Sequence, residues 1–112
     1  MSETAAGRRY GRALFLSARD RQAADRVEEE LAQLRQLLEE EKSLAHFLES
    51  PRVSEKEKGD FLQEQLGNYA LPITIEFLRL LIAKGRVGEL AGVHDTLHRL
   101  VQEERERWRP PW

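Results

Sequence analysis

No cysteine occurs in the 112 residues, so disulfides and thiolate metal sites are excluded. No run of about 20 apolar residues exists, so nothing in the sequence is long enough to span a bilayer. The longest apolar stretch is interrupted by Glu76 and Arg79. Charge of one sign is also missing: 18 basic residues against 20 acidic ones leave a formal net charge of −2. That balance removes the chain-wide case for nucleic acid, which draws on an excess of Lys and Arg. Alternating β-branched runs are absent, so no strand is expected. The seven glycines are scattered, and no G-x-G-x-x-G, P-loop or G-x-S-x-G forms from them. Arg8-Arg9 resembles the start of an export signal, but the apolar stretch Ala13 to Leu16 is too short for one and Arg19 and Arg21 close it. The chain therefore reads as mature and intracellular.

What is present is helix. Leu, Glu, Arg, Ala and Gln dominate, all good helix formers, and the 40% of apolar residues suffices for one modest core. The punctuation gives six segments. A first helix runs from about Thr4 to Arg19, with a weak break near Asp20 to Gln22. The second, Ala23 to Glu41, carries Val27, Leu31, Leu34 and Leu38 at the spacing of an amphipathic stripe. A short third segment holds Leu44, Phe47 and Leu48, and Ser50-Pro51 breaks it. Ser54 and Glu57 open the fourth helix as a capping box, and Phe61, Leu62 and Leu66 form its inner face. Pro72 opens the fifth and Gly85 closes it; the sixth, Glu89 to about Arg105, turns Leu90, Val93, Leu97 and Leu100 inward. The expectation is an all-α, compact six-helix bundle over residues 1–105, followed by an irregular tail over 106–112.

Two helices have apolar surface to spare. On the fifth, at 100° per residue, Ile73, Phe77, Leu80 and Leu81 lie on one side and Ile75, Leu78 and Ile82 nearly opposite. Such a helix is either the central post of a bundle or is covered by something from outside. On the first, a bulky half (Gly11, Leu14, Phe15, Ala18) suits a core, while a small half (Ala6, Ala13, Ser17, beside Tyr10) would let another helix approach closely.

Other constellations are blander. His94 and His98 sit at i and i+4, as in H-E-x-x-H zinc sites. The intervening acid is Asp95 and no third ligand stands at a recognisable spacing, so two exposed histidines on an outer face are expected. His46 has no nucleophile motif nearby. The clusters Glu28 to Glu30 and Glu39 to Glu41 read as a solvated helix face. Arg8, Arg9, Arg12 and Arg19 form a basic stripe, with thin aromatic interleaving for a nucleic-acid site.

Three segments, Arg8 to Phe15 (RRYGRALF), Leu48 to Lys58 (LESPRVSEKEK) and Phe77 to Leu90 (FLRLLIAKGRVGEL), resemble in order and spacing the δ subunit of F-type ATP synthase. Its mitochondrial counterpart is the oligomycin-sensitivity-conferring protein. The resemblance covers about residues 4–104. It implies a six-helix N-terminal domain on top of the catalytic hexamer, without chemistry, cofactor or metal, in a complex peripheral to the cytoplasmic side of the bacterial inner membrane. It further implies that the amphipathic N-terminal helix of an α subunit lies between the first and fifth helices. Tyr10, Ala13 and Leu80 match the family's groove positions; helix geometry adds Ala6, Leu14, Ser17, Ile73, Phe77 and Lys84. The family continues into a domain that engages the b subunits of the peripheral stalk. Here Trp108 to Trp112 (WRPPW) matches nothing expected after the sixth helix, so b-subunit contact is expected only if such a domain is present. The chain reads as an excised N-terminal domain with an altered tail or as a natural short version. The competing readings are a nucleic-acid-binding bundle using the arginine stripe, a zinc hydrolase using His94 and His98, and a closed helical scaffold.

Overall fold

Among the described residues, six α-helices form where the periodicity places them. The computed structural model describes residues 3–107. Its elements are α1 (Ala5–Asp20), α2 (Ala24–Glu40), α3 (Lys42–Glu49), α4 (Glu55–Leu66), α5 (Pro72–Ala83) and α6 (Leu90–Arg107), with one 3-10 turn at Val87–Glu89 before α6. No strand occurs among the described residues. The bundle is all-α, as expected. The last helix continues to Arg107, past the expected end near Arg105, and Trp108 to Trp112 lie outside the described residues.

Local chemistry explains the boundaries. Thr4 caps α1, its hydroxyl accepting the Gly7 N–H at 2.9 Å and donating to Glu89 at 2.6 Å. Ser54 and Glu57 form the expected capping box, each side chain accepting the other's backbone N–H, at 3.1 and 3.3 Å. Pro72 occupies the first turn of α5, where its missing N–H costs nothing. Gly85 closes that helix at φ +67°, a left-handed conformation that side chains disfavour. The turn between α1 and α2 uses Gln22 at φ +56° instead of a glycine, held by the Gln22 N–H to Arg19 and the Ala23 N–H to Ala18.

The closest helix pair is α1 on α6, and it rests on glycine. A Cβ added at Gly7 would stand 2.7 Å from the Gly92 carbonyl carbon, and one at Gly11 would stand 2.8 Å from Thr96 Cβ. The bulky half of α1 faces this seam: Gly11, Leu14, Phe15 and Ala18 are all buried. Val27, Leu31 and Leu34 of α2, and Leu90, Val93, Leu97 and Val101 of α6, complete that side of the core. Leu38, Phe61, Leu66 and Leu100, expected on inner faces, are half-buried at its margin.

Helix α5 packs on α4 and α2. Most of its apolar circumference is covered from within the fold. Ile75, Leu78, Leu81 and Ile82 are buried; Leu34, Leu48, Leu62 and Leu90 close over Leu78, Leu81 and Ile82 and leave a void of only about 10 Å³. Of the large apolar residues of α5, Leu80 alone is exposed, at 42%. The apolar surplus is therefore narrower than the wheel suggests: a helical wheel counts faces but not the neighbours available to cover them.

Two further expectations are corrected. Glu28 and Glu30 are not solvated; both are half-buried and only Glu29 of that cluster is exposed. The Glu30 carboxylate accepts from the Leu71 N–H at 3.1 Å and from the Thr74 hydroxyl at 2.7 Å, capping α5 from a different helix. Likewise His94 is not exposed. It sits between α2 and α6, where Arg35 Nη1 lies 3.1 Å from Nδ1 and Glu28 Oε2 lies 2.8 Å from Nε2. Arg35 Nη1 also donates to Asp95 at 2.7 Å, so His94 stands within a charged cluster that joins the two helices.

Candidate protein-binding groove

Helix α5 makes its main helix contacts with α4 and α2, not with α1. A cleft of about 250 Å³ opens between α1 and α5, lined by Tyr10, Ala13, Leu14 and Ser17 of α1, by Arg21 at its C-cap, and by Ile73, Glu76, Phe77 and Leu80 of α5. Leu14, Ile73 and Phe77 are at most 8% exposed and form the floor. Their side chains are fixed by the core beneath, so the floor exists before any ligand arrives. Tyr10 stands half-buried on one wall with the Arg9 guanidinium 5.7 Å from its ring centre. Ala13 and Ser17, both small and exposed, lower the same wall, and Leu80 stands opposite.

Of the residues expected at a partner site, Tyr10, Ala13, Leu14, Ser17, Ile73, Phe77 and Leu80 come together on this cleft, whereas Ala6 and Lys84 do not line it. Ala6 lies a turn before Tyr10 and is half-buried; Lys84 caps the C-terminal end of α5. The cleft also recruits Arg21 and Glu76, which were not among the expected positions. The signal for both was in the spacing: Arg21 follows Ser17 by four, and Glu76 lies between Ile73 and Leu80 at three and four.

Other sites offer less. A larger cleft of about 480 Å³, where α1 ends, α2 begins and α6 passes, is lined by the ion-paired residues Arg19 and Glu104 and Arg105 and Asp25. Its charges are thus matched within the fold. Among the described residues no group of three His, Asp or Glu side chains could hold a metal. The geometry explains why the histidine pair is unsuitable: Glu28 already engages both rings, and the Arg35 guanidinium beside His94 opposes a cation there. The arginine stripe is partly committed as well, since Arg8 donates to the Glu3 carbonyl and Arg19 lies over the Phe15 ring.

A groove between two helices with an apolar floor has the shape of a helix-in-groove site. The family described as "ATP synthase delta (OSCP) subunit" matches residues 6–109. The chain belongs to that family. It is 31% identical to the ATP synthase subunit delta of Salinibacter ruber over 94% of this chain and 55% of that protein. It is 32% identical to the subunit of Chlorobium phaeobacteroides over 92% and 57%, and 31% identical to that of Lachnoclostridium phytofermentans over 86% and 53%. The chain thus spans little more than half the length of these delta subunits. No solved structure matches it significantly. No helix among the described residues is long and apolar enough to cross a membrane.

Proposed function

We propose that this chain is a non-catalytic stator component of an F-type ATP synthase, part of the peripheral stalk. In this reading its α1/α5 groove receives the N-terminal amphipathic helix of an α subunit. The observation that carries it is the preformed cleft with an apolar floor of Leu14, Ile73 and Phe77, opening between the two helices of a delta-family bundle. The contribution is mechanical: an anchoring free energy that helps hold the catalytic hexamer while the rotor turns. No cofactor and no bond-making step belong to it. The work would be done at the cytoplasmic side of the bacterial inner membrane, peripherally, within the synthase complex. Contact with b subunits would require the further domain that full-length delta subunits carry.

Affinity in such a site is governed by preorganisation more than by area. The bundle supplies a folded floor, so mainly the incoming segment bears the ordering cost. Calorimetric titration with a synthetic peptide of the α-subunit N-terminus tests the proposal. Saturable binding that orders the peptide, seen as a gain in helical circular dichroism, is the expected result. No binding by a folded chain would overturn it.

A further inference from the structure

The groove has an electrical polarity. Arg26 donates to the Tyr69 carbonyl at 2.9 Å and Glu30 accepts from Leu71, which pins the start of α5 beside the first turns of α2. Those turns follow directly on Arg21, so Arg21 and Ile73 share one end of the cleft while Tyr10 and Leu80 share the other. At the first end both signs are present, in Asp20, Arg21 and Glu76. Beyond the second end stand two cations, Arg9 beside Tyr10 and Lys84 one turn past Leu80, both exposed. Among the described residues neither has an ion-pair partner, and the Arg9 guanidinium lies against the Tyr10 ring.

The place of Arg9 in its own helix makes it informative. It lies near the start of α1, whose first turn contains no acidic residue. A helix N-terminus is the positive end of the macrodipole and favours carboxylates. Arg8 lies in that turn and is tied to the Glu3 carbonyl, whereas Arg9 stands one residue beyond it, against the Tyr10 ring. An exposed cation without an ion-pair partner among the described residues is available to a carboxylate from outside, and the positive end of α1 adds to the same attraction. Lys84, at the C-terminal end of α5, is consistent with its dipole and by itself would carry nothing.

Resting on the groove reading above, we infer that the occupant is an amphipathic helix whose carboxylates cluster at the end lying by Tyr10 and Leu80, where Arg9 and Lys84 receive them. Two synthetic helical peptides of about five turns, sharing one leucine and isoleucine stripe, provide the test. One carries glutamates at one end and the other carries lysines at the same positions. At low salt the glutamate peptide is expected to bind roughly tenfold more tightly, and the difference to vanish near about 0.5 M salt, where screening is nearly complete at contact range. The double variant Arg9→Glu, Lys84→Glu should reverse the order, with circular dichroism as the folding control. If that variant fails to fold, the wild-type pair and its salt series decide alone. Equal low-salt affinities for the two peptides would overturn the charge assignment and leave the groove standing. Failure of both peptides to bind would overturn the groove and the assignment with it.

Discussion

The Glu30 carboxylate on α2 lies 2.7 Å from the Thr74 hydroxyl on α5, and Thr74 is 2% exposed. One oxygen thus satisfies a buried hydroxyl and, together with its partner oxygen, the free N–H of Leu71 at the head of α5. This contact ties the helix that carries Ile73, Phe77 and Leu80 to the rest of the bundle. Glu30→Ala would leave both donors buried without an acceptor, at a cost of about 1–3 kcal/mol. Denaturant melts should show that loss. Glu30→Gln, which keeps a carbonyl acceptor, should recover part of it.

The α1/α6 seam makes an opposite prediction to helix propensity. Alanine is ordinarily better than glycine within a helix by about 1 kcal/mol. At Gly11, however, the added carbon would lie 2.8 Å from Thr96 Cβ and 2.9 Å from the Val93 carbonyl oxygen. Neither neighbour is the end of a flexible chain, so the helices must separate. Gly11→Ala is expected to lower stability by about 1–3 kcal/mol. A rise in melting temperature would show that the seam has slack.

These two contacts mark where the sequence is legible and where it is not. The capping box of Ser54 and Glu57 and the stops at Pro72 and Gly85 are local devices, decided by residues within a few positions, and they read directly. Glu30 meets Thr74 across 44 residues, and nothing in its surroundings separates it from Glu29, which faces water. Its role comes from tertiary placement. His94 is the same case: its partners Glu28 and Arg35 belong to another helix. The groove was readable as two helices with spare faces. Its floor was not separable from its walls, because a wheel places Leu14 and Phe77 on the right side without telling how deep the core draws them.

That depth governs how groove variants should behave. Leu80 is 42% exposed, so Leu80→Asp should fold nearly as well as the parent. If the groove holds a helix, the same change places a carboxylate against an apolar stripe and should cost about 2 kcal/mol or more of binding. Tyr10→Asp should act similarly, with a larger folding penalty because the ring is half-buried. Phe77→Asp, at 7% exposure, should instead unfold the bundle. Calorimetry for affinity and circular dichroism for folding separate the cases. Leu80→Asp binding with unchanged affinity would remove the wall from the site.

The N-terminal strap before α1 gives the pH prediction. Glu3 receives Arg99 through Nε at 2.8 Å and through Nη2 at 3.0 Å, and Thr96 through its hydroxyl at 3.2 Å. The hydrogen bonds from Arg99 hold its carboxyl below the ordinary 4.5, outweighing the desolvation that raises it. Because the folded state prefers the charged form, its contribution is present above the ordinary value and is lost as pH falls through the lower, folded one. Glu3→Gln should therefore be less stable than the parent at neutral pH, by a modest amount since Arg99, its ion-pair partner, is exposed and the pair lies at the surface. The gap should narrow below pH 4.5 and close once the native carboxyl is protonated. Thermal melts of both proteins from neutral to acid pH check this, and a gap that widens on acidification would mean that Arg99 does not hold the carboxylate in solution.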